Sequence, residues 1–214
     1  MNSIKLLHTL PQVFAQQPEV NSEVWRQNLT FEKGRLYLVE ASSGTGKSSL
    51  CSYLYGHRSD YLGTIMFDER DIRTFSISEW TRLRQKHLSL MWQELRLFPE
   101  LTALENVEIK NRLTRYKKKK EITAWFEELG IADKLHTKVG LMSFGQQQRV
   151  ALMRALCQPF DLLMADEPIS HLDDVNARQM ADLMLEEVQR QGAALLVTSI
   201  GKHISINYDK VLNL

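Results

Sequence analysis

The sequence is poor in whatever would staple, anchor or strongly charge it. Its two cysteines, Cys51 and Cys157, lie far apart with no Cys-x-x-Cys or Cys/His pairing. This excludes a disulfide framework or zinc knuckle and points to reduced thiols in the cytosol. No apolar run approaches the roughly 18 residues that a membrane-crossing helix needs, so any membrane role must come through a partner. The apolar tint of residues 4–15 is broken by Lys5, His8 and Pro11 and reads as a mature N-terminus rather than a leader. An excess of one charge is also missing. With 27 Lys and Arg against 26 Asp and Glu, the net charge is +1. The basic face that a nucleic-acid grip requires is not indicated, and no nucleic-acid partner is expected.

What is present is a chain of 214 residues, 43% apolar, of a size that reads as one domain, residues 1–214, with an ordinary core. Short apolar runs at 35–39, 87–92, 161–165 and 193–198 alternate with longer amphipathic segments. Such runs are buried strands, and the alternation predicts a mostly parallel α/β sheet. One helical stripe joins Ile122, Trp125, Phe126 and Leu129 before Gly130, and another joins Ala177, Met180, Met184 and Val188 before Gly192. Between Leu101 and Leu141 the runs give way to helical periodicity behind a Thr102/Glu105 capping box, which predicts a helical lobe inserted at about residues 95–150. The four lysines Lys117–Lys120 fall within it and are expected to repel one another and stay in water.

Two motifs carry chemistry. After the run RLYLV comes Ala41-Ser42-Ser43-Gly44-Thr45-Gly46-Lys47-Ser48-Ser49, leading into a helix-like segment. This is a phosphate-binding loop in its strand–loop–helix setting. Its glycines let backbone amides and the helix N-terminus face phosphates; Lys47 would reach the β- and γ-phosphates, and the Ser48 hydroxyl would ligate Mg²⁺. The strict pattern asks for Gly at 41; Ala is expected to be tolerated unless the backbone there is closed to a Cβ. The second motif is an apolar run ending in Asp166-Glu167-Pro168. Two acids at a strand end are often mere solvation. Beside a phosphate loop, Asp166 would serve the metal and Glu167 would polarise an attacking water.

Between these motifs lies Met142-Ser143-Phe144-Gly145-Gln146-Gln147-Gln148-Arg149, which resembles the LSGGQ signature of ABC-type ATPases and its Gln-Gln-Arg continuation. Over essentially its whole length the chain resembles that family, with LTALENV at 101–107 and the ADEP phrase closest to its lipoprotein-releasing, macrolide-efflux and cell-division members. The resemblance implies a P-loop NTPase fold with an antiparallel N-terminal β subdomain beside the parallel sheet. It also implies that two subunits, here expected to be two copies, sandwich ATP, the signature residues Ser143, Gly145 and Gln146 of one closing on the loop of the other. Ser143 and Gly145 precede an apolar helix read as Val150–Leu156, whose N-terminal dipole suits an anion. Gln93 matches the glutamine that senses Mg²⁺ or the attacking water, and Asp173 matches the acid of the loop crossing the dimer seam. Phe14 is the candidate for stacking on adenine.

Three departures stand out. Phe144 puts a bulky ring where the family has glycine, Met142 replaces leucine, and Ser199 stands where the family's switch histidine would touch the γ-phosphate. Ser199 is shorter than histidine and cannot carry its charge; His203, four residues on, would substitute only through a change of register and otherwise reads as a surface histidine. The function this implies is the ATP-binding and hydrolysing subunit of an ABC transporter-like complex, using ATP and Mg²⁺ and held to the inner face of the cell membrane by a permease-like integral membrane partner. The rival readings are a slowly hydrolysing switch that transports nothing and a chromosome-maintenance head. The interval from Gln93 to Ser143 is too short for the coiled-coil arms of such a head.

Overall fold

The computed structural model of the chain describes residues 1–17 and 20–214. Its elements are β1 (Ser3–Pro11), β2 (Asn28–Glu32), β3 (Leu36–Glu40), α1 (Lys47–Leu54), β4 (Tyr61–Phe67), β5 (Arg70–Asp71), α2 (Ile77–Lys86), β6 (Leu88–Met91), α3 (Ala103–Asn111), α4 (Lys119–Glu128), α5 (Phe144–Leu156), β7 (Leu162–Asp166), α6 (Asp174–Gln191), β8 (Ala194–Ser199) and β9 (Lys210–Asn213). The four apolar runs are β3, β6, β7 and β8. Together with β9 they form a five-stranded sheet in the order β6-β7-β8-β3-β9, with every pair parallel.

That sheet is covered on both faces, which is why its strands read as continuous apolar runs rather than alternations. Leu163, Ala165, Leu195 and Val197 face a core shared with α3, α4, α5 and α6. Leu162, Met164, Ala194 and Leu196 face the other core, shared with α1 and a second sheet. The second sheet is antiparallel, in the order β2-β1-β4-β5, as the family resemblance implies. Its central strand β1 is the N-terminal apolar stretch. The β1–β4 ladder shifts register between Leu7 and Leu10, with His8 at φ 50°. Opposite it Gly63, at φ +79°, leaves room for the bulge, since a Cβ there would stand 2.4 Å from the His8 carbonyl oxygen.

The inserted lobe holds α3 and α4 and the start of α5. Thr102 and Glu105 cap α3 reciprocally. Two sequence expectations are corrected here. The helix carrying the signature begins at Phe144, not Val150, with Ser143 as its N-cap; after Phe144 the run of Gly145 and three glutamines hides the start from any apolar pattern. The lysine run does not all stay in water. Lys117 is only 6% exposed and forms a buried ion pair with Glu187 of α6, its ammonium also lying 4.5 Å from the Trp125 ring. A partner 70 residues away overrides the local repulsion.

Candidate nucleotide site

The parallel sheet brings the motifs together because each emerges from the C-terminal end of a strand, where ligands of such sheets bind. Downstream of β3 the chain turns through Gly44 at φ +82° and Gly46 at φ +101° into α1. No side chain caps α1, so its first amides are left for an anion. The turn is braced from within: the Thr45 hydroxyl donates to the Ser42 carbonyl (2.9 Å), and so does the Lys47 ammonium (3.2 Å). It is braced from outside by Trp25, 1% exposed, whose indole N–H donates to the Thr45 carbonyl at 2.9 Å. A Cβ on Gly46 would stand 3.2 Å from Trp25 and 3.3 Å from Phe14. Phe14 therefore sits half-buried against the loop, at the end of a short 3-10 turn. Ala41 lies outside the left-handed region and donates its N–H to the Ser199 carbonyl, so a Cβ is accommodated. Ser43 and Ser48 are exposed on the loop and the first turn of α1, while Ser49 accepts from Arg58 at 2.9 Å.

Asp166 ends β7 and is 2% exposed; Thr198 on the neighbouring strand β8 donates its hydroxyl to Asp166 Oδ1. Glu167 follows in a left-handed conformation, φ 50°, unusual for a residue with a Cβ. Its N–H donates to the Thr198 carbonyl at 3.1 Å, and its Oε1 stands 3.7 Å from the Lys47 ammonium. Cys51 is buried beneath these groups, its thiol pushed well up by burial and then by the Asp166 charge.

The remaining family positions divide. Gln93 is exposed two residues past Met91, which pairs with Ala165, so it emerges beside the two acids. Ser199 is 1% exposed and its hydroxyl donates to the Lys202 carbonyl at 2.6 Å. That commitment turns the hydroxyl into its own turn and leaves no donor to face a phosphate. His203 does not replace it: its Nδ1 lies 3.2 Å from Glu40 and its ring packs edge-on against Tyr208. Ser143 and Gln146 satisfy each other, Ser143 N–H donating to Gln146 Oε1 at 3.0 Å. The signature packs on the loop after β7 in the same chain. A Cβ on Gly145 would lie 2.9 Å from Leu172, and Phe144 meets His171 edge to face at 4.7 Å. Asp173 caps α6 by accepting from Asn176 N–H at 2.9 Å, which holds its carboxyl below the usual range.

Magnesium fits this arrangement as a shared ligand rather than a caged one. Among the described residues no three His, Cys, Asp or Glu side chains converge on a metal-sized site. Asp166 has one oxygen occupied by Thr198, and among the described residues nothing donates to the other. One carboxylate and the Ser48 hydroxyl, completed by phosphate and water, match how Mg²⁺ is bound at nucleotide sites.

A family model described as "ABC transporter" matches residues 25–170. The chain belongs to the ABC transporter family. Among its relatives is the lipoprotein-releasing system ATP-binding protein LolD of Hydrogenovibrio crunogenus, 35% identical over 80% of this chain and 76% of LolD. Another is the macrolide export ATP-binding/permease protein MacB of Shewanella sp. (strain ANA-3), 30% identical over 87% of this chain. The chain spans only 29% of that MacB protein's length. The fold is that of the bacterial ABC transporter cassette MJ0796, with a TM-score of 0.81, 23% identity, and coverage of 99% of this chain and 94% of that one. Two residues that shape this ABC site escaped the sequence reading, Trp25 and Thr198. Trp25 belongs to no spaced motif, and Thr198 stands directly before the switch position Ser199 with no role of its own in the pattern; only the fold shows what each holds.

Proposed function

We propose that the chain is the ATP-binding and hydrolysing subunit of a membrane transporter, closing as a pair of identical copies around Mg-ATP on the cytoplasmic face. The observation that carries this reading is the convergence of Lys47, Asp166 and Glu167 at the ends of β3 and β7. Lys47 and the free amides of α1 bind and orient the phosphates; Asp166 and Ser48 hold Mg²⁺, which supplies charge neutralisation at the phosphates. Glu167, held beside Lys47, takes the proton of an attacking water. The dimer of MJ0796 supports the paired arrangement, and relatives named ATP-binding/permease protein support a membrane partner.

A groove of about 380 Å³ between the parallel sheet and the lobe supports a docked partner. It exposes Phe98 (51%), Ile109 (44%) and Leu113 (56%) beside Trp92 and Arg96, next to Gln93, and apolar surface gathered this way marks an interaction site. Among the described residues no helix is long and apolar enough to cross a membrane. The test is light scattering of Glu167→Gln and of Glu167→Gln with Phe144→Gly, with and without Mg-ATP. Nucleotide-dependent dimers are expected in both, tighter by several-fold without the Phe144 ring. A monomer in both, with ATP bound, would contradict the paired mechanism.

A further inference from the structure

Both acids of the site hang on Thr198. This residue is fully buried on β8, with Asp166 of β7 opposite it on one side and Val39 of β3, the strand feeding the phosphate loop, on the other. Its single hydroxyl proton goes to Asp166 Oδ1, and its carbonyl accepts from Glu167 N–H. We propose that the Thr198 hydroxyl is a positioning residue for the metal: it fixes the Asp166 carboxylate in rotation and leaves one defined oxygen for Mg²⁺. The inference rests on the reading of Asp166 as the metal's acid.

The physical need is specific. A carboxylate at a strand end turns freely about its last bond unless something donates to it, and Asp166 is 2% exposed, so bulk water is a poor substitute donor. Partners that orient a ligating group in this way typically govern metal affinity by about 10- to 100-fold. The second bond couples the two acids. The carbonyl of the residue whose hydroxyl aims Asp166 also secures Glu167 in its left-handed backbone, so metal and base share one anchor between the acid strand and the loop strand.

Valine at 198 keeps the β-branched shape that suits a central strand and removes only the O–H. Calorimetry of ATP binding with and without Mg²⁺, and a Mn²⁺ titration of the ATP-loaded protein followed by electron paramagnetic resonance, test the idea on wild type, Thr198→Val, Thr198→Ser and Asp166→Asn. Metal-free ATP affinity should be unchanged within about twofold in Thr198→Val, while Mn²⁺ affinity falls about tenfold; Thr198→Ser should restore it. If Asp166→Asn leaves Mn²⁺ affinity at the wild-type value, the metal reading beneath the proposal fails and the proposal with it. If Asp166→Asn weakens the metal and Thr198→Val does not, the proposal alone is overturned. Should Thr198→Val not fold, Thr198→Ala decides the same contrast: loss in Ala with recovery in Ser supports the role, and equal values for Ala and Ser refute it.

Discussion

Lys47 and Glu167 face each other at the mouth of the parallel sheet, ammonium to carboxylate 3.7 Å, with side chains only 5% and 9% exposed. The same ammonium also donates to the Ser42 carbonyl at 3.2 Å. Phosphate must therefore compete with Glu167 for Lys47, and it brings its own negative charge toward that carboxylate.

The pair predicts the sign of one substitution. Glu167→Gln keeps the shape of the side chain but removes both the competition and the repulsion, so ATP should bind about threefold to tenfold more tightly while hydrolysis is lost. Calorimetry together with phosphate release checks both halves. Weaker binding in a folded Glu167→Gln protein would show that Lys47 is not the group the phosphates meet.

Ser199 gives a second expectation. Its hydroxyl supports the turn to Lys202 from a buried position, so Ser199→Ala should cost about 1 kcal/mol of stability and leave turnover at saturating Mg-ATP nearly unchanged. Chemical denaturation and steady-state phosphate release measure the two effects. A large loss of turnover at unchanged stability would mean that this hydroxyl leaves Lys202 and acts on the phosphate.

The lysine run separates into buried and exposed members. Lys117 and Glu187 are each 3% exposed in their side chains, and Arg190 retains a contact to Glu187 if Lys117 is lost. Lys117→Met should therefore destabilise by about 3 kcal/mol, near the low end for breaking a buried pair. Lys118→Met, at an exposed helix start, should change stability by less than about 0.5 kcal/mol. Equal, small effects in urea titrations would place Lys117 in solvent after all.

Lys117 also shows where sequence reasoning stopped. The parallel strands were legible because burial on both faces writes a continuous apolar run, and the phosphate loop was legible because its turn demands glycine at fixed positions. The antiparallel sheet was not written in the residues alone. β1 mixes Lys5, His8 and Thr9 with its apolar set and slips register at His8, so no clean alternation survives. The start of α5 was hidden by the run of Gly145 and glutamines after Phe144. The direction in which the Ser199 hydroxyl points, and the reach of Thr198 to Asp166, depend on strand neighbours that no local pattern names.

The central claim is that the loop from Ala41 to Ser48 is a working nucleotide cradle whose charge is Lys47. Titration calorimetry of Mg-ATP into the wild-type chain and into Lys47→Ala tests it most directly, with circular dichroism to show that the variant folds. Losing a charge-assisted contact to phosphate should weaken binding about 30- to 100-fold. Equal affinity in the two folded proteins would contradict the account at its root.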